Sequence, residues 1–120
     1  MAGVDEMREL VIERVLRCVE QIPPGRVASY GLIGRICGVG PRQVGSIMSH
    51  YGSDVPWGRV TNAAGEFPPA LLEQAEPHWA EEGILVAAHG RGCRYRDYAF
   101  DDRMLSERWQ ESIADLPAPE

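Results

Sequence analysis

Two short runs with apolar residues at helical spacing flank Gly38-Val39-Gly40-Pro41, and this arrangement limits the fold more than any other part of the chain. In the first run, Leu32, Ile33 and Ile36 form one apolar face over residues 30–37, and Ser29 is placed to cap it. In the second, Val44, Ile47 and Met48 do the same over residues 41–50. Pro41 takes the first helical position, where its missing N–H costs nothing. A link this short and glycine-rich between two helices predicts a helix-turn-helix. The outward face of the second helix then carries Arg42, Gln43, Ser46 and Ser49, with Gly45 among them. Small residues there let a backbone approach another surface closely. The residues alone are equally consistent with two packed helices that bind nothing.

The flanking segments predict a mainly α fold with short strands. Met7, Val11, Val15, Val19 and Ile22 recur every three to four residues, giving a helix over residues 5–21 with Asp5 as its cap. Glu6, Glu9, Glu13, Arg14 and Arg17 fall largely on its other faces, and Pro23-Pro24-Gly25 ends it. Residues 59–61 read as a strand and 62–65 as a turn. A further helix starts at Pro68-Pro69, is restarted or kinked at Pro77, and stops at Gly83. Residues 84–87 and 93–95 read as a β-hairpin around His89-Gly90-Arg91-Gly92. Asp101 or Asp102 caps a last helix through Leu105, Trp109 and Ile113, and residues 116–120 read as a frayed tail. Residues 1–100 are thus expected to form a winged-helix-like domain, with 101–120 as a C-terminal helix and tail.

Several classes are disfavoured by composition. No apolar run approaches the ~18 residues a membrane helix needs. Acids occupy the N-terminus where a signal peptide would be basic, so a cytoplasmic, monomeric protein is expected. The three cysteines have no CxxC spacing, and Cys18 lies on an apolar helix face as a buried thiol. His50, His78 and His89 sit on separate elements without metal-ligand spacing; no GxSxG and no phosphate-cradling glycine loop occurs. No catalytic constellation and no cofactor is expected. The net charge is −6, but all twelve basic residues are arginines, and over residues 21–60 Arg26, Arg35, Arg42 and Arg59 face only Asp54. That segment suits an anionic partner. Tyr30, Arg42, Trp57 and Arg59 are the residue types that handle bases and phosphates: aromatics stack on bases for roughly 1–3 kcal/mol each, and arginine neutralises phosphates. Each also has a plain structural reading, Tyr30 as a helix-start residue, Trp57 as a core plug and Arg59 as an ion-pair partner.

Order along the chain adds to these residues taken singly. Ile22-Pro23-Pro24-Gly25-Arg26-Val27, then Ser29-Tyr30-Gly31, then Arg42-Gln43-Val44-Gly45 with Met48, then Val55-Pro56-Trp57 with Arg59-Val60, resembles the DNA-binding domain of O6-alkylguanine-DNA alkyltransferases. The resemblance runs from about residue 5 to residue 86 and does not cover the acidic segment beyond about residue 97. Active members carry Pro-Cys-His-Arg, in which the cysteine accepts the alkyl group and the histidine relays to a glutamate. Here those two positions are Trp57 and Gly58, and Glu82 matches the relay glutamate with nothing to relay to. An indole cannot replace a thiolate nucleophile.

The pattern is therefore similar to the alkyltransferase-like proteins, which carry tryptophan at that position. This resemblance implies non-enzymatic recognition of O6-alkylguanine in double-stranded DNA by a minor-groove helix-turn-helix. It further implies nucleotide flipping and flagging of the lesion for nucleotide excision repair proteins. Tyr30 would crowd the target phosphate, Arg42 would fill the gap in the base stack, and Gln43, Gly45, Ser46 and Ser49 would face the DNA. Val55, Pro56, Trp57 and Arg59, with Tyr30, would form the lesion pocket. Gly58 is a departure expected to loosen the loop, and the acidic composition implies modest, salt-sensitive affinity. Two other readings remain: a winged-helix module for undamaged DNA or a protein partner, and a residual alkyltransferase using another thiol, although Cys37 and Cys93 lie outside the motif.

Overall fold

The computed structural model of the chain describes residues 4–117. The first helix, α1 (Val4–Glu20), has Val15, Cys18 and Val19 fully buried, as the periodicity predicts. Asp5 lies inside its first turn rather than at its cap. Arg14 is a second difference: it is 6% exposed, and its guanidinium donates to the Pro117 carbonyl instead of reaching water.

The helix-turn-helix forms as expected from α2 (Tyr30–Cys37) and α3 (Pro41–Tyr51). Ser29 Oγ accepts from the Leu32 N–H at 3.0 Å and starts α2. Gly38 ends it with φ +79°, a conformation L side chains rarely adopt. Gly34 is required for a different reason. A Cβ there would lie 2.5 Å from the Val39 carbonyl oxygen, so the turn can fold back over α2 only because position 34 has no side chain. Leu32, Ile33, Val44 and Ile47 bury against α1 in the larger of two cores.

Two very short strands tie this unit to the loop that follows. β1 (Ala28–Ser29) pairs in parallel with β2 (Val60–Thr61), in register Ala28 with Val60 and Ser29 with Thr61. Between α3 and β2 lie two 3-10 turns, Gly52–Asp54 and Trp57–Arg59. Helix α4 (Pro69–Glu82) continues through Pro77 and ends on Gly83 in the left-handed region. Its Leu72, Ala75 and Trp79 join Val27, Phe67, Ile84 and Cys93 in a second core, against which Trp57 packs.

The expected hairpin is reduced to its closing turn. Val86 and Cys93 make one isolated antiparallel bridge, the Ala87 N–H donates to the Gly92 carbonyl at 2.7 Å, and the second arm also pairs with residues 65–67. The Cys93 N–H donates to the Gly65 carbonyl, and the Phe67 N–H to the Arg91 carbonyl. Ile84 is buried, but Leu85 and Val86 are exposed, so the first arm has one anchored residue rather than a continuous buried face that would extend the strand. Tyr95 leaves the second arm to begin a short helix, α5 (Tyr95–Tyr98), and its hydroxyl accepts from the Ser29 N–H. The last helix, α6 (Asp102–Ser112), is capped by Asp101, whose carboxylate accepts from the Met104 N–H at 2.8 Å. Leu105 of α6 is fully buried in the α1–α3 core, and the Trp109 indole N–H donates to the Arg14 carbonyl. Of the expected frayed tail, residues 118–120 lie outside the described residues, whereas Leu116 is half-buried and Pro117 holds Arg14.

Candidate nucleic-acid interface

Helix α3 presents the face its sequence predicts. Val44 and Ile47 point inward, while Arg42, Gln43, Ser46 and Ser49 are exposed and Gly45 is half-buried with open space beyond its Cα. Arg42 stands in the first turn with no ion-pair partner among the described residues.

Along one flank of α3 runs a cleft of about 330 Å³. Gly45 and Ser49 of α3 form one wall, and Tyr30 and Trp57 are brought to it from the start of α2 and from the 3-10 turn. Gln74 and Leu71 of α4 close its far side. This volume falls in the range of small-molecule sites, roughly 300–1,000 Å³. Tyr30 is half-buried, and burial raises its pKa, which keeps the phenol protonated as a hydrogen-bond donor. Val55, Pro56 and Arg59 do not line this cleft. They line an adjoining one of about 320 Å³ on the other side of Trp57, together with Gly58, His78 and Glu82. The predicted pocket residues are therefore divided by the indole between two clefts.

Trp57 is both half-buried and displayed. Its ring meets Phe67 edge-on at 6.1 Å between centroids and His78 at 5.9 Å, with interplanar angles of 63° and 81°. T-shaped pairs of this kind are favoured by the ring quadrupoles and fix the orientation of the indole. His78, an exposed histidine to which the sequence assigns no role, thus packs against Trp57 at the site.

The loop is not loose. Gly58 is buried and its carbonyl accepts from the Trp79 indole N–H at 2.7 Å. Its φ is not positive, so the turn does not need glycine, and an added Cβ would meet Trp79 and Ala75 only at ordinary contact distance. The expectation that Gly58 frees the chain fails because α4 supplies the restraint.

Arg59 follows its structural reading as an ion-pair partner, and that partner is Glu82. The guanidinium of Arg59 donates from Nε and Nη2 to both oxygens of Glu82, at 2.7–3.2 Å, and from Nη1 to the Ile22 carbonyl at 2.9 Å. Glu82 Oε1 also accepts from the Gly25 N–H at 2.9 Å. Arg59 therefore lines its cleft as a brace rather than as a free cation, and Glu82 is fully engaged without a histidine. Burial pushes the Glu82 carboxyl up, but the Arg59 hydrogen bonds, the Gly25 N–H and the charges of Arg59 and His78 together bring it below its ordinary value. No signal in the local sequence links positions 22, 25, 59 and 82.

The three thiols lie elsewhere. Cys18 and Cys93 are buried, and Cys37 sits at the end of α2 with its Sγ 3.8 Å from the Arg14 carbonyl. None lines either cleft at Trp57. Among the described residues no group of three or more His, Cys, Asp or Glu is arranged to hold a metal ion, and no helix is long and apolar enough to cross a membrane.

Residues 11–84 match the family described as 6-O-methylguanine DNA methyltransferase, DNA binding domain. The chain is 35% identical over 86 residues to a DNA base-flipping protein of Escherichia coli, covering 66% of each chain, so it spans just under two thirds of that relative. It is 43% identical over 81 residues to alkyltransferase-like protein 1 of Schizosaccharomyces pombe, covering 61% of this chain and 75% of the relative. The crystal structure of S. pombe Atl1 in complex with damaged DNA containing O6-carboxymethylguanine superposes with a TM-score of 0.67 and 29% identity, over 78% of this chain and 96% of that one.

Proposed function

The chain belongs to the family of the 6-O-methylguanine DNA methyltransferase DNA-binding domain, and we propose that within it this protein recognises O6-alkylguanine in double-stranded DNA without repairing it. One observation carries the reading: Trp57, clamped by Phe67 and His78, walls a cleft shared with Tyr30 and with the small residues of α3. A flipped base fits such a site, because aromatic walls replace the stacking it loses. The phenol of Tyr30 lines the cleft as a donor, and exposed Arg42 is free to enter the duplex where the base has left. The position that carries the acceptor cysteine in active relatives is occupied by Trp57 and that of the activating histidine by Gly58. Glu82 is held by Arg59 and Gly25, and each thiol is away from the clefts. We accordingly assign no transferase activity. The names of relatives, a DNA base-flipping protein and an alkyltransferase-like protein, support the same reading. A bound complex that persists would serve as the flag for nucleotide excision repair.

The test is a fluorescence anisotropy titration of duplexes with O6-methylguanine or guanine at one position. The lesion duplex should bind more tightly, and Trp57→Ala should reduce that preference by about tenfold, the worth of one base-aromatic stack, while leaving binding to undamaged DNA nearly unchanged. Equal affinities for the two duplexes would remove the proposal. Methyl transfer to the protein from labelled DNA would overturn the non-enzymatic part of it.

A further inference from the structure

Helix α3 is a ridge with a groove on each flank. Gly45 and Ser49 open onto the cleft with Tyr30 and Trp57, whereas Gln43 and Ser46 open onto a larger groove, about 530 Å³, between α3 and α1. Four features describe what that groove can take. Its floor is apolar, with Val11, Ile12 and Ile47 beneath the half-exposed Met7 and Tyr51. Arg8 is the one formally charged side chain lining it; Asp5, Glu6, Glu9 and Glu13 of α1 do not line it. Arg8 has no ion-pair partner among the described residues. The wall is set, because His50 Nδ1 lies 2.8 Å from the Ser46 carbonyl, which can only accept, so the imidazole donates there and its ring is tilted against Tyr51.

A helix seated in either groove of a duplex has one sugar–phosphate backbone on each side of it. A strand with its target base in the Tyr30–Trp57 cleft runs along one flank of α3, which leaves the complementary strand along the α1 flank. The groove there matches a deoxyribose–phosphate chain: apolar surface for the sugars, polar Gln43, Ser46 and the Tyr51 hydroxyl, and one uncommitted cation for a phosphate. We propose that the α1–α3 groove seats the backbone of the undamaged strand, with Arg8 paired to one of its phosphates. This rests on the lesion-recognition reading above and extends the interface from the helix-turn-helix onto α1.

The experiment compares the parent protein with Arg8→Ala and Arg8→Lys by anisotropy. The probes are an O6-methylguanine duplex, the same modified strand alone, and duplexes in which neutral methylphosphonates replace phosphates of the undamaged strand. Arg103→Ala on α6 is the control for an equal change in net charge. Arg8→Ala should weaken duplex binding about threefold or more and lower the salt slope by about 1, as expected for one lost phosphate contact. Arg8→Lys should restore most of the affinity, and binding to the single strand should not change. A methylphosphonate at the contacted position should weaken the parent but not Arg8→Ala. If Arg8→Ala binds the duplex as the parent does, or loses no more than Arg103→Ala, the groove does not hold the second strand, and a protein becomes its occupant of choice. Equal affinity of the parent for the O6-methylguanine duplex and for a guanine duplex measured beside it would instead be a failure of the lesion-recognition reading, so the two failures read out separately.

Discussion

At the scale of single residues, the site is built on a brace between Arg59 and Glu82. Arg59 and Glu82 are 16% and 18% exposed at their side chains, and the carboxylate is shared with the Gly25 N–H. Removing one partner of such a pair leaves the other charge partly buried, which costs about 3 kcal/mol. Glu82→Gln should therefore lower stability by that order. The pH dependence has a defined sign. The folded-state pKa of Glu82 is below its ordinary value of 4.5, so the unfolded chain takes up the proton first. The stability this group contributes is fully present above about pH 5 and is lost as pH falls through the lowered folded pKa. Urea melts at stepped pH should show the Glu82→Gln variant less stable at pH 7 and falling less steeply below pH 5. Parallel curves for parent and variant would show that the brace contributes nothing. Trp57 was legible in the sequence because proline and glycine flank it at a recognisable spacing. The partner of Arg59 was not, since it lies 23 residues away across a turn and a helix and no periodicity connects them.

At the scale of elements, legibility followed the range of the interactions. The helix-turn-helix is encoded locally: Ser29 and Pro41 start its helices, Gly38 stops the first, and apolar periodicity supplies the buried faces. The residues 84–95 carry equally clear strand and turn residues, yet only Val86 and Cys93 bridge across the turn, and the second arm also bonds to residues 65–67, a choice set by tertiary packing that no local pattern states. The turn itself depends on Gly34. An alanine there would place its Cβ 2.5 Å from the Val39 carbonyl oxygen, backbone that cannot swing aside. Gly34→Ala should therefore cost about 1–3 kcal/mol, the usual penalty for overpacking, and displace the start of α3. Because Arg42 is in that first turn, the same variant should weaken binding to lesion and normal duplexes alike, keeping their ratio. Gly58→Ala, which meets only ordinary contacts at 3.8 Å and beyond, should leave both stability and binding close to the parent. Circular dichroism melts beside the anisotropy titrations would separate the two; a fully stable Gly34→Ala protein would show that the turn has slack to absorb a methyl group.

At the scale of the whole molecule, the question is whether the C-terminal helix is an appendage or part of the folding unit. The family match ends at residue 84, and beyond about residue 97 the chain is acidic. The contacts favour integration. Leu105 is fully buried among Val15, Val19 and Leu32, the Trp109 indole N–H meets the Arg14 carbonyl at 2.9 Å, and Arg17 donates to the Ser112 carbonyl at 2.6 Å. Arg14 is the sharpest case, since its buried guanidinium has the Pro117 carbonyl as its acceptor and its Nε has no partner among the described residues. Without residues 101–117 that charge, and the apolar side of α1 that Leu105 covers, would lose their cover. We therefore expect α6 to melt with the helix-turn-helix rather than before it. Leu105→Ala should cost about 2–5 kcal/mol, the range for a large buried aliphatic cut to alanine. For a domain of this size that is a fall in Tm of roughly 10 °C or more. The melt should stay single and cooperative, and lesion binding at low temperature should survive, because no residue of α6 lines the clefts beside α3. A biphasic melt, or a cost below about 1 kcal/mol, short of what truncating a core leucine normally removes, would instead make the C-terminal helix a separable addition to the recognition domain.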